Sequence, residues 1–296
     1  MDMVVRTPHL PLPGETVLGS EFGTFPGGKG ANQAIAAVRQ GAEVNFIGNV
    51  GADSFGKQLL ENIIKDGIGT RFIGVDDVLS TGIAVITLDE LGENSIVVAP
   101  GANYSITPRQ IDQANQVFIS ADLLLSQLEI PLDVVISAAR KAKKLGLTFI
   151  LNPAPAQVLP DELLKMVDIL VPNEHECAIL SGMPVATLTE IEDASRSILA
   201  KGVGCVIVTM GAQGAFLIEP KQIGIHVSSF EVDVIDTTAA GDSFLGVLAV
   251  AVAEGKSYHE SVRRACAAGA LAATRLGAHP SIPTKVEVDR LLEEQA

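Results

Sequence analysis

The sequence predicts an α/β protein built on a parallel, doubly wound sheet, with a smaller β-sheet beside it. Three observations lead there. From about residue 105 apolar strand runs alternate regularly with helical patterns, which implies a parallel sheet covered by helices on both faces. Two β runs, Gly82 to Asp89 and Asn94 to Val98, are joined by Glu90-Leu91-Gly92-Glu93, a hairpin signature that interrupts the alternation. The stretch Val234 to Gly246 reads as strand end, small-residue turn and helix, the geometry of an anion site.

Taken in order, residues 1–25 read as short strands broken by Pro8, Pro11 and Pro13, with Pro13-Gly14 marking a turn. Gly27-Gly28-Lys29-Gly30-Ala31-Asn32-Gln33 then opens a helix that Gly41 closes. Gly23 to Lys29 nearly fits the phosphate-binding pattern GxxxxGK[ST], but Gly30 stands where the magnesium-binding hydroxyl belongs. The glycines read either as a flexible turn with a solvated Lys29, or as backbone approaching a polar ligand held by Lys29 and Asn32. A strand from Val44 to Gly48 and a helix from Gly56 to Asp66 follow, then the hairpin. In the alternating region a helix is predicted from Pro108 to Gln116, and a strand from Asp122 to Leu128 ending at Glu129. Next come a helix from Pro131 to Leu145 and a strand from Leu147 to Asn152. Strands from Val167 to Val171 and from Cys205 to Thr209 are followed by Pro172-Asn173-Glu174-His175-Glu176 and by Met210-Gly211-Ala212-Gln213-Gly214. An alanine-rich helix from Tyr258 to Arg275, a rigid loop from Gly277 to Pro283 and an amphipathic helix end the chain. Ligands of such sheets bind outside the carboxyl ends of the strands. Glu129, Asn152, Asn173, Glu176, Thr209 and Asp236 sit at such ends and predict one cleft.

Composition bounds the function. The chain of 296 residues, 47% hydrophobic, allows one large domain or one domain with a small addition. A net charge of -14 argues against a nucleic-acid or anionic membrane surface. Cys177, Cys205 and Cys266 form no CxxC pair, which argues against a disulfide framework or zinc site and fits a reducing cytosol. No apolar run is long enough to span a membrane, and the opening residues lack a signal core, so a cytoplasmic location is expected. The scattered histidines lack metal-pair spacing and read as structural or solvated.

The turn Thr237-Thr238-Ala239-Ala240-Gly241-Asp242 carries the chemistry. The first amides of a helix lack intrahelical partners, and small residues let a phosphate approach them. A carboxylate beside a phosphate cradle is unfavourable unless it takes a proton from an attacking hydroxyl. The competing reading is an ordinary capped turn with Asp242 a solvated acid.

Two motifs together carry a resemblance. Gly27-Gly28-Lys29-Gly30-Ala31-Asn32-Gln33-Ala34 resembles the N-terminal signature of the PfkB-type carbohydrate kinases, and Asp236-Thr237-Thr238-Ala239-Ala240-Gly241-Asp242 their C-terminal one. Leu151-Asn152-Pro153-Ala154-Pro155-Ala156 and Gly277 to Pro283 resemble the ribokinase branch. The resemblance covers essentially the whole chain. It implies a three-layer α/β/α core, residues 26–81 and 101–296, and a small β lid, residues 1–25 and 82–100. It also implies ATP-dependent phosphorylation of D-ribose at O5, with other sugar kinases of the family (fructokinase, deoxyribokinase) or a non-catalytic binding protein as alternatives. Asp242 would be the general base, and the amides of Ala239, Ala240, Gly241 and Asp242 an anion hole. Asp2, Gly28, Lys29, Asn32 and Glu129 would hold the sugar with Asp242. Asn173, Glu176, Thr209, Gly211, Gly214, Gly241 and Cys266 would serve ATP, with Asn173 and Glu176 also helping to place magnesium. Asp236, Thr238, Ala272, Arg275, Gly277 and Ser281 would hold potassium. A homodimer through the lid is implied too. Relatives carry a strand of the type V-V-G-S-x-N just before the aspartate matching Asp2. This sequence shows no such strand ahead of Asp2, so weak stability or weak sugar affinity is expected of it. Val247, where the family favours Ala or Gly, and Cys266, where some relatives carry a histidine, are smaller departures.

Overall fold

The computed structural model describes residues 1–295. The chain opens with β1 (Asp2–Arg6) and β2 (Glu21–Phe25), then α1 (Lys29–Arg39), β3 (Asn45–Gly51), α2 (Ser54–Lys65) and β4 (Gly69–Asp76). The hairpin β5 (Ile83–Leu88) and β6 (Asn94–Ala99) follows. β1 pairs parallel to β5 and antiparallel to β2, and β5 pairs antiparallel to β6, giving a four-stranded sheet in the order β2-β1-β5-β6. The small sheet read from the early strands and the hairpin is therefore one continuous ladder.

Then come α3 (Pro108–Gln113), α4 (Asn115–Ser120), β7 (Leu123–Ser126), α5 (Leu132–Leu145), β8 (Thr148–Leu151), α6 (Asp161–Leu164), β9 (Ile169–Leu170), α7 (Glu174–Ser181), α8 (Leu188–Ala200) and β10 (Cys205–Thr209). β11 (Ala215–Ile218) and β12 (Ile225–Val227) turn back antiparallel at the far edge, and α9 (Ala240–Ala253), α10 (Tyr258–Ala273), α11 (Ala278–Ser281) and α12 (Lys285–Glu294) close the chain. β7 to β10 are parallel, in a six-stranded sheet ordered β12-β11-β10-β9-β8-β7.

The layers follow from the period of two in the strands. On β8, Phe149 and Leu151 pack into the core under α5, α7 and α8, while Ile150 packs with Phe244 and Leu248 of α9 and Val262 of α10. The helices start on local chemistry. Thr187 and Glu190 form a reciprocal capping box at α8, and Thr284 with Glu287 form another at α12. Gly146 and Gly182, both left-handed, stop α5 and α7.

Three expectations need correction. The residues Val234 and Ile235 form no strand. Both are exposed, and the amides of Ile235 and Asp236 donate to the carbonyl of Ala273 at the end of α10 instead of a neighbouring strand. The region 108–120 is two short helices, because the chain turns at Ala114. The loop 277–283 contains a helical turn, α11.

The parallel strands of the core are divided between two sheets. β3 and β4 pair only with each other, and β7 ends the larger sheet. Among the described residues no strand lies between β3 and β7. Phe46 and Ile47 of β3 and Leu123, Leu124 and Leu125 of β7 line a cavity of about 2260 Å³ that continues under the lid. Leu123 to Leu125 are only half-buried, whereas Cys205 to Val208 on the interior strand β10 are fully buried.

Candidate active site

The site forms where α1 meets α9. Both helices are small-residue-rich at the crossing. A Cβ on Gly246 of α9 would lie 2.4 Å from Ala36 Cβ and 2.6 Å from the Gln33 carbonyl oxygen of α1, so this glycine permits the approach. That approach brings two α1 side chains onto the carboxylate of Asp242 in the first turn of α9. Asn32 Nδ2 donates to Asp242 Oδ2 at 2.8 Å, and Gln33 Nε2 donates to Oδ1 at 2.9 Å. Asp242 is thus a held carboxylate, which removes the reading of a solvated capping acid.

Ala239 caps α9 with φ of 60°. For a residue with a Cβ this left-handed conformation costs about 1–2 kcal/mol. The amide of Ala240 donates to the Thr237 carbonyl at 3.1 Å, while the amides of Ala239, Gly241 and Asp242 have no hydrogen-bond partner among the described residues. A Cβ at Gly241 would meet nothing within 4 Å. Open space in front of unsatisfied helix N-terminal amides is what an anion needs.

The other sugar-site candidates converge on the same cavity. The amide of Lys29, the first residue of α1, donates to Glu129 Oε2 at 3.0 Å. A carboxylate at a helix N-terminus is favoured by the helix dipole. Gly28 carries φ of 98°, which turns the chain into α1. Asp2 lies against the preceding residue so closely that a Cβ on Gly27 would be 2.1 Å from Asp2 Oδ2. Asp2, Gly28, Lys29, Asn32, Glu129 and Asp242 all line the cavity. Burial pushes the Asp2 carboxyl up, and the neighbouring Asp242 adds to this. Burial likewise raises Glu129, opposed by Lys29 and reinforced by Asp242 and Asp2. A crowded set of carboxylates beside one lysine offers acceptors to several hydroxyls.

Of the ATP candidates, Asn173 and Thr209 are brought together by a parallel bridge between the ends of β9 and β10. Glu176 is buried, and it and Asn173 form a reciprocal capping box, each accepting the other's amide at 2.8 Å. Burial raises its carboxyl, with the Asn173 amide and then Lys29 opposing. Gly211, φ of 53°, faces open space; at Gly214 a Cβ would lie 2.1 Å from the Val227 carbonyl, so that glycine serves chain packing. Cys266 sits in the apolar core between α10 and the sheet, where burial pushes its thiol up to about 12.

Of the potassium candidates, Asp236 Oδ1 accepts from the Thr238 amide and hydroxyl, and its Oδ2 from the Gly277 amide at 2.8 Å. The Ser281 hydroxyl lies 3.4 Å from the Thr238 carbonyl. Asp236, Thr238 and Ser281 bring oxygens together, the donor type that suits a hard cation. The Ala272 carbonyl accepts from the Arg275 amide at 3.3 Å, and the Arg275 side chain pairs with Glu287. Among the described residues no group of three His, Cys, Asp or Glu side chains could hold a metal ion. No helix is long and apolar enough to cross a membrane.

The residues missed from sequence are amides behind the site. Gln33 is fully buried, its Oε1 accepts from Gln127 Nε2, and its Nε2 also reaches Asn152 Oδ1 at 3.3 Å. Gln127 had no local signal, lying 94 residues from Gln33.

The family model of the pfkB family carbohydrate kinases matches residues 1–285. The chain belongs to this family. It is 43% identical over 292 residues to ribokinase of Haemophilus influenzae, covering 99% of this chain and 95% of that protein. It is 36% identical over 285 residues to deoxyribokinase of Salmonella typhi, covering 96% and 93%. The structure of Arabidopsis thaliana ribokinase complexed with ribose and ATP is similar with a TM-score of 0.93 and 36% identity, covering 99% of this chain and 95% of that one. The three-layer core with its small β lid is thus the ribokinase architecture.

Proposed function

We propose that this family member transfers the γ-phosphoryl group of ATP to O5 of D-ribose, giving ribose 5-phosphate and ADP. The observation that carries the reading is the Asp242 carboxylate, held by Asn32 and Gln33 beside unpartnered amides at the start of α9. The similarity to ribokinases over nearly the whole chain supports the substrate.

Asp242 takes the proton from O5–H as O5 attacks the γ-phosphorus. The new O5–P bond forms as the bond from phosphorus to the bridging oxygen breaks, and ADP leaves with that electron pair. The amides of Ala239, Gly241 and Asp242 stabilise the charge on the transferred group, aided by the dipole of α9. Asp2, Lys29, Asn32 and Glu129 orient the sugar, with Gly28 giving the backbone its turn. Asn173, Glu176, Thr209, Gly211 and Gly241 would serve ATP; Cys266 backs the fold from the core, and Gly214 shapes the turn. Glu176 would hold magnesium with the phosphates, a pattern suited to an ion that keeps most of its waters and neutralises phosphate charge. Asp236, the Thr238 carbonyl and Ser281 would hold potassium, which would add positive charge near the anion hole and order the turn. Gly277 donates to Asp236, and Ala272 and Arg275 supply the flanking helix end. The exposed apolar side chains of Val85 and Val97, cross-strand partners on the lid that do not line the cavity, support burial against the lid of a second copy.

The 36% identity to a deoxyribokinase makes 2-deoxyribose the competing substrate. The test is ADP release with ribose, 2-deoxyribose and fructose. The reading expects kcat/KM for ribose at least tenfold above the others, because a site built to bond the 2-hydroxyl rejects a sugar that lacks it. Equal or better turnover of 2-deoxyribose or fructose would overturn the ribose assignment.

A further inference from the structure

Gln33 is an unusual residue for its place. It is fully buried on α1, facing the sheet, among alanines and Ile35. An unpartnered amide there would cost about 1–3 kcal/mol. Its amide is instead satisfied on both ends. Gln127 Nε2 donates to Gln33 Oε1. On the other side Asn152 Nδ2 donates to the Val171 carbonyl at 3.0 Å, which leaves Asn152 Oδ1 facing Gln33 as an acceptor. A donor on its oxygen side and an acceptor on its nitrogen side allow Gln33 one orientation only. In that orientation its remaining N–H meets Asp242 Oδ1 at 2.9 Å. Asn32 holds the other carboxylate oxygen, so both are pinned and the carboxyl plane is fixed.

We infer that Gln127, Gln33 and Asn152 form a positioning relay for Asp242. The relay sets the amide direction at Gln33 and so the direction of the carboxylate toward the acceptor hydroxyl. Gln33 is a positioning residue, since Asp242 stands between it and the sugar. The inference rests on the reading of Asp242 as the base. It makes a polarity prediction that packing alone does not. An acceptor in place of the Gln127 donor turns the Gln33 amide over and presents its oxygen to the carboxylate, although the substitution is nearly isosteric.

The test compares Gln33→Leu, Gln127→Glu, Gln127→Met and Asp242→Asn, reading kcat, KM for ribose, ribose Kd by calorimetry, and Tm. Misplacement of a reacting group by about 1 Å costs up to about 10²-fold in rate. Gln33→Leu is expected to lower kcat at least tenfold with ribose Kd changed less than threefold. Gln127→Glu is expected to lower kcat more than Gln127→Met does, at similar Tm. If Gln33→Leu fails to fold, the Gln127 pair carries the test. Lowered Tm or raised KM with kcat unchanged in all Gln33 and Gln127 variants would overturn the relay, as would Gln127→Glu no slower than Gln127→Met. Undiminished activity of Asp242→Asn would overturn the base assignment itself, whatever the relay variants do.

Discussion

The crossing of α1 and α9 gives a prediction whose size can be worked out. Alanine at position 246 would place a Cβ 2.4 Å from Ala36 Cβ, 2.6 Å from the Gln33 carbonyl oxygen and 2.9 Å from the Ala37 amide nitrogen. Non-bonded carbons settle at about 3.5–4.0 Å, so the helices must separate by about 1 Å. Two effects oppose each other. Alanine in a helix interior gains about 1 kcal/mol over glycine. Overpacking costs about 1–3 kcal/mol, and here it falls at the upper end, because two of the three contacts are α1 backbone and cannot swing away. The net expectation for Gly246→Ala is a loss of about 1–2 kcal/mol, read as a Tm lower by a few degrees in a calorimetric or circular-dichroism melt. The same displacement moves Asn32 and Gln33 off Asp242, so kcat should fall at least tenfold, more than the stability loss alone explains. An unchanged or raised Tm with unchanged kcat would refute the claim that close helix approach builds the site.

Other consequences can be checked separately. The edges of β3 and β7 face a cavity rather than a paired strand, so in native-state hydrogen exchange their amides should exchange well ahead of those of β8 and β10; equal protection would contradict the divided sheet. Glu287 has its carboxyl held at about 2 against an ordinary 4.5; partial burial works against this, and the Thr284 amide and Arg275 overcome it. A depressed carboxyl stabilises the fold above its unfolded value and loses that contribution as pH falls through its folded value. The Tm difference between the protein and Glu287→Gln should thus be full above about pH 5 and shrink from about pH 4.5 toward pH 2. A difference independent of pH over that window would remove Glu287 as its source. Potassium chloride should raise kcat above sodium chloride in the protein but not in Asp236→Asn; equal activity in both salts before substitution would remove the cation proposal.

What was legible in the sequence was what short-range chemistry determines. The turn ahead of α9 could be read because small residues and an acid sit within one helical start, and the glycines before α1 for the same reason. The alternation of β7 to β10 with their helices could be read because buried parallel strands are short apolar runs. Val234 and Ile235 read as a strand end because they are β-branched, but such residues also occur on exposed irregular chain, and the distant Ala273 carbonyl takes the amides of Ile235 and Asp236. β11 and β12 are only three or four residues long, too short to carry a pattern of their own, whereas α8 does carry a local start signal in its Thr187–Glu190 capping box. The relay behind Asp242 was illegible in principle, since Gln33 and Asp242 are 209 residues apart and nothing near either one specifies the other.

The central claim is that Asp242 takes the proton from the attacking sugar hydroxyl. Ribose-dependent ADP release by Asp242→Asn, measured at saturating ribose and ATP with the ribose Kd measured alongside, tests it most directly. General-base catalysis contributes about 10²–10⁴-fold, so kcat should fall by that factor while the protein still folds and binds ribose. A kcat within a few-fold of the unsubstituted protein would contradict the account.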